Sequence, residues 1–87
     1  MPEIDPGILS MFDEWVIDHA MTHWGMSEDE AMRRFLSSET RTMLGDSETL
    51  LWHESPLVII DMFDCEIANG DPRLSTYILG DSLYVRP

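Results

Sequence analysis

The chain predicts a mainly α-helical domain: four or five short helices around a central one, with a small C-terminal β-hairpin. Three observations carry that reading. Apolar residues recur at three- and four-residue steps over most of the length. Asp5, Ser27, Ser38, Ser47 and Ser55 each stand just before such a stretch, where a helix N-cap belongs. Past Pro72 the pattern changes to short runs rich in β-branched and aromatic residues.

The central helix spans 55–70. Ser55 caps it, Pro56 fills its first position and Gly70 lies just past its end. Leu57, Ile60, Phe63, Cys65 and Ile67 supply its apolar face, while Asp61, Asp64, Glu66 and Asn69 fall largely elsewhere. The β-branched run Val58-Ile59-Ile60 could start a strand, but the caps and the length favour helix.

The first helix opens at Asp5-Pro6, after a loose segment 1–4, and Gly25 stops it. Ile8, Leu9, Phe12, Trp15, Val16, Ala20 and Trp24 share one face, leaving Asp13, Glu14 and Asp18 mainly to solvent. Ser27-x-x-Glu30 is a capping box, with Met26 and Ala31 at the positions of a hydrophobic staple. The second helix then runs to about residue 37. Two short helices follow, one capped by Ser38 and stopped by Gly45, the other capped by Ser47 and carrying Leu50, Leu51 and Trp52. Gly70-Asp71-Pro72 is a break. Residues 76–85 read as two strands around Gly80-Asp81, a two-residue hairpin turn. A lone hairpin is marginal in water. This one must pack on the helices, pair with a second copy in a homodimer, or stay partly ordered. Phe12, Trp15, Phe35, Ile60 and Phe63 are the expected core.

Composition narrows the partners. Eighty-seven residues make one domain, and an apolar share of 44% is too high for a disordered acidic tail. Seventeen acidic residues against five basic ones, all arginine, give a formal charge of −12. A field of that sign repels phosphate, so direct binding to nucleic acid or an anionic membrane is not expected, and a basic partner is. Equally, it suits a merely soluble domain. The single Cys65 fits a reducing cytoplasm and reads as a small buried hydrophobe. No secretory leader and no membrane-spanning run is visible, so a cytoplasmic protein is expected.

Few constellations carry chemistry. His19 and His23 lie four apart, on one side of a helix, as a helical metal pair requires. The segment reads HAMTH, with Ala20 where a zinc protease has its glutamate base. Further ligands would have to come from His53, Cys65 or a carboxylate distant in sequence. With the third ligand missing, neither a zinc nor an iron site is expected, and no cofactor. Asp61 and Asp64, three apart, are side by side but read as a solvated helix face. No nucleophile elbow or glycine-rich phosphate loop is present. Trp24 and Trp52 sit at helix ends beside histidines, where a half-exposed ring can anchor a partner.

One resemblance follows from the order of these features. It comprises an aromatic and aliphatic first helix, Met26-Ser27-x-x-Glu30, Phe35, a leucine-rich turn, Trp52-His53, Ser55, and Ile59-Ile60-Asp61-Met62. Over roughly residues 10–68 this resembles a bacterial family of small helical proteins, domain of unknown function thirty-seven ninety-one. The chain departs from it in having Trp52, where the family pattern has leucine before the histidine, and its hairpin lies outside the resemblance. The resemblance implies an antitoxin-like or accessory role beside a toxin with an ADP-ribosyltransferase-like fold. It brings no catalytic residues.

The expected function is therefore non-enzymatic: an acidic domain that masks a basic protein. Asp13, Glu14, Asp18, Asp61 and Asp64 are its expected charged contacts, and Trp24 and Trp52 its anchors. Two alternatives are a phage-type inhibitor that mimics nucleic-acid charge and a small metal-dependent enzyme using His19 and His23.

Overall fold

The structure is a computed structural model and describes residues 4–75. Among them are four α-helices: α1 (Pro6–His23), α2 (Glu28–Leu36), α3 (Glu39–Gly45) and α4 (Pro56–Asn69). Short 3-10 turns follow α3 at Ser47–Thr49 and Leu51–His53, and a third follows α4 at Pro72–Leu74. The hairpin expected over 76–85 lies outside the described residues. No described helix is long and apolar enough to cross a membrane.

Four of the five expected caps form, at Asp5, Ser27, Ser38 and Ser55. Asp5 Oδ1 accepts from the Gly7 amide at 2.8 Å, Ser27 Oγ from Glu30 at 3.1 Å, and Ser55 Oγ from Leu57 at 3.2 Å. Each supplies an acceptor to an amide that has no partner inside its helix. Ser38 has two roles: its hydroxyl donates to the last turn of α2 at Phe35 O (2.6 Å) and accepts from the Arg41 amide of α3 (3.0 Å). One buried serine thus fixes the corner between two helices. Gly25 adopts φ 71°, which lets the chain turn so that the Met26 amide reaches back to Ala20 O at 3.3 Å. That turn delivers Met26 to the core.

The second short helix expected after Gly45 does not form. Leu50 takes a left-handed conformation (φ 60°) and splits the segment into two 3-10 turns. Asp46, rather than Ser47, caps the first of them, accepting from the Glu48 amide at 3.0 Å. The Thr49 hydroxyl donates to the Met43 and Asp46 carbonyls and accepts from the Leu51 amide. These bonds compete with helix continuation, as threonine hydroxyls commonly do in turns.

The core is one cluster drawn from all four helices, the Leu51 turn and Met26 of the α1–α2 link: Phe12, Val16, Ala20, Met26, Ala31, Phe35, Leu44, Leu51, Ile59, Met62 and Phe63. Phe35 and Phe63 meet edge to face, with ring centroids 5.1 Å apart. Two core expectations need correction. Trp15 lies outside, 54% exposed, because Phe12, Val16 and Ala20 already fill the buried stripe of α1. Ile60 only packs at the core edge, because α4 is rotated from the expected register. Its buried residues are Ile59, Met62 and Phe63, while Leu57 is 65% exposed. Cys65, expected to be buried, is half-buried.

That rotation turns Glu66 inward, about one helical turn beyond Met62 and two beyond Ile59. Its carboxylate accepts from the Glu39 amide (2.9 Å), the Thr40 amide (2.8 Å) and the Thr40 hydroxyl (2.6 Å). A glutamate of α4 therefore caps α3 from across the core, where an anion suits the helix dipole. Arg41 joins α3 to α1 through Asp13 at 2.7 Å. Arg73 closes the far end on Glu39 at 2.8 Å and on Asp71 at 3.2 Å, and these hydrogen bonds, Glu39's foremost, raise its pKa above the ordinary arginine value.

Candidate functional site

Two surfaces of α1 hold the side chains that could act on a partner. The first is an open groove of about 690 Å³ between α1 and α2. Ser10, Asp13, Glu14, Trp15, Ile17, Asp18 and Met21 line it from α1, and Glu28 and Met32 from α2. Three of its apolar side chains stand in solvent, with Trp15 54% exposed, Met21 38% and Met32 41%, while Ile17 packs at the core edge. Exposed apolar surface of this kind lowers its free energy when covered. Around it, Glu14, Asp18 and Glu28 are exposed carboxylates. Among the described residues no arginine lies within ion-pair distance of these three. Arg33 and Arg34 face Asp29 and Glu30, Arg41 faces Asp13, and Arg73 faces Glu39 and Asp71.

The second surface is the seam between the C-terminal half of α1 and α4. His19 Nε2 lies 3.0 Å from both Asp64 oxygens. Trp24 Nε1 donates to Asp64 Oδ1 at 2.8 Å. His23 stacks on His19, with ring centroids 4.9 Å apart and planes 15° from parallel, and also meets the edge of Trp24. One ligand atom from each of His19, His23 and Asp64 falls within 4.8 Å of the others. The carboxylate distant in sequence that a His19–His23 pair would need is thus Asp64, brought there because α4 packs on α1.

Five of the seven expected contact residues fall on these surfaces, and Asp61 and Trp52 do not. Glu14 and Asp18 are on the groove. Asp13 lines it too, but its carboxylate is held by Arg41, so it steadies the scaffold. Asp64 belongs to the seam and is engaged by His19 and Trp24 rather than presented on a solvated face. Trp24, 38% exposed, closes the seam beside it. Asp61 is half-buried on α4. Trp52 sits apart, half-buried against the core, stacked on His53 at 3.9 Å and donating to Ser47 O at 3.0 Å. Its ring is fixed by the turn it closes.

Sequence reasoning missed Trp15, Met21, Met32 and Glu28 as surface residues. A signal existed for the first two. On α1, Met11, Trp15, Ile17 and Met21 flank the Phe12–Val16–Ala20 stripe. One helix cannot bury apolar side chains around so much of its circumference against one neighbouring layer. No known protein family, curated protein or solved structure matches the chain.

Proposed function

We propose that this protein is a non-enzymatic binding domain that masks a basic protein through the α1–α2 groove. The observation that supports this most directly is the juxtaposition of exposed Trp15, Met21 and Met32 with Glu14, Asp18 and Glu28. The matching occupant is an amphipathic segment whose apolar side covers the tryptophan and methionines and whose lysines or arginines meet the rim. Methionine side chains adapt to varied shapes, and tryptophan is a frequent hot spot at interfaces. The charge of −12 adds long-range steering toward such a partner and disfavours phosphate ligands. An antitoxin-like role against a basic, ADP-ribosyltransferase-like toxin, as the family resemblance implies, is one case of this reading.

The test is association kinetics with the product of the adjacent gene and with a synthetic basic amphipathic helix, each across a salt series. Association should slow steeply as salt rises, and Glu14→Lys with Asp18→Lys should flatten that dependence. Trp15→Ala should speed dissociation by about tenfold or more, the mark of an anchor worth over 1 kcal/mol, while leaving stability within about 0.5 kcal/mol. Binding that ignores salt, both reversals and Trp15→Ala would overturn the groove as the interface. Saturable binding of the protein to duplex DNA would overturn the exclusion of nucleic acid as a partner.

A further inference from the structure

We infer that His19, His23 and Asp64 form a binding site for a divalent transition-metal ion at the α1–α4 seam. Two imidazoles four apart on one helix and a carboxylate from a facing helix already lie within 4.8 Å of one another. Bonds of about 2.0–2.2 Å from a zinc-like ion put its ligand atoms roughly 3–3.5 Å apart. His19 Nε2 and the Asp64 oxygens, at 3.0 Å, are at that separation now. The remaining closure falls to His23, which is exposed and reaches the ion by a side-chain rotation that shifts its ring from its contacts with His19 and Trp24.

The donor set selects the ion. Imidazole nitrogens suit zinc, nickel, copper and cobalt, whereas magnesium and calcium take all-oxygen shells. The Trp24 indole N–H, 2.8 Å from Asp64 Oδ1, steadies the carboxylate as partners behind a metal ligand commonly do. Three protein ligands leave at least one position of the ion open to solvent. The ion would replace the hydrogen bond between His19 and Asp64 with a coordinate link, tying the end of α1 to the middle of α4. The site is separate from the groove: neither histidine nor Asp64 lines it. Either reading can therefore fail alone.

The experiment uses the full chain, free of any affinity tag, titrated with zinc by calorimetry and with cobalt by visible absorption. One ion should bind per chain at micromolar concentration or tighter, and cobalt should develop the ligand-field bands of a low-coordinate site. Loss of a partner behind a ligand typically weakens a metal site about 10–100-fold. Trp24→Phe should fall in that range, and His23→Ala and Asp64→Asn should weaken binding by about a hundredfold or more. His53→Ala should change nothing, since His53 stacks on Trp52 away from the seam. His23 is exposed, so its replacement leaves the fold intact, which circular dichroism checks. Absence of one-to-one binding, binding unchanged by His23→Ala or by Asp64→Asn, or a preference for magnesium over zinc would each overturn the site.

Discussion

Two carboxylates of α4, Asp64 and Glu66, and three of the α1–α2 groove, Glu14, Asp18 and Glu28, have the same chemistry and opposite employment. Asp64 and Glu66 are spoken for inside the protein: Asp64 by His19 and Trp24, Glu66 by the first turn of α3. Glu14, Asp18 and Glu28 stand in solvent beside exposed apolar side chains. Composition treats all five alike, as part of the same surplus of negative charge. The difference between them is topological. Asp64 and Glu66 meet donors from other helices because α4 is packed by α1 and α3, and Asp13 of α1 meets Arg41 of α3, whereas Glu14, Asp18 and Glu28 are exposed and have no arginine within ion-pair distance among the described residues. Charge that holds the fold together and charge available to a partner are thus separated by which neighbour each helix faces.

The sharpest way to break this comparison is to remove the core that positions both regions. Phe63 is 2% exposed and packs on Phe35. Phe63→Ala should cost about 3–5 kcal/mol. At this size that corresponds to a fall of roughly 12 °C or more in Tm, measured by thermal melting. A variant that melts within a degree or two of the parent would mean α4 does not hold the place described here.

Next in size is the inward carboxylate. Glu66→Ala removes the acceptor of two α3 amides and of the Thr40 hydroxyl, whose residue is fully buried. Leaving buried donors without a partner costs about 1–3 kcal/mol. Urea unfolding should show that loss with an unchanged m-value. Glu66→Gln keeps one carbonyl acceptor and should lose less. Equal, negligible losses in both variants would place Glu66 with the groove carboxylates and erase the distinction.

Much of the fold was legible because helix ends are local chemistry. Asp5-Pro6, Ser27, Ser38, Ser55 and Gly70 each act within a few residues, so their spacing marks the helices directly. Rotation about the helix axis was harder to read. The α4 sequence carries apolar residues on several sides, and only packing decides that Ile59, rather than Leu57, turns inward. Trp15 was misplaced for a related reason: size and hydrophobicity suggested burial, but the stripe beside it was already filled. The Leu50 turn depends on a left-handed backbone at a residue with no preference for it. The seam was half legible. His19 and His23 announce themselves by their spacing, while Asp64 joins them across 45 residues through a helix contact that no local pattern encodes.

The smallest effect separates the two kinds of charge most cleanly. Glu14 and Asp18 are four apart on α1, so like charges face each other on one side of the helix. Such a pair destabilises a helix by about 0.2–0.5 kcal/mol. Glu14→Gln should therefore raise stability by about that amount at low salt. The gain should disappear near 1 M salt, where the screening length falls to about 3 Å. The same substitution should slow association with a basic partner, so stability and binding would move in opposite directions. On α4 they would not: Glu66→Gln loses stability, has no groove contact to lose, and should leave association unchanged. Denaturant melts at two salt concentrations, paired with association rates, read both quantities. If Glu14→Gln lowers stability at low salt, its carboxylate has a stabilising partner within the protein, and the groove rim is structural rather than held for a partner.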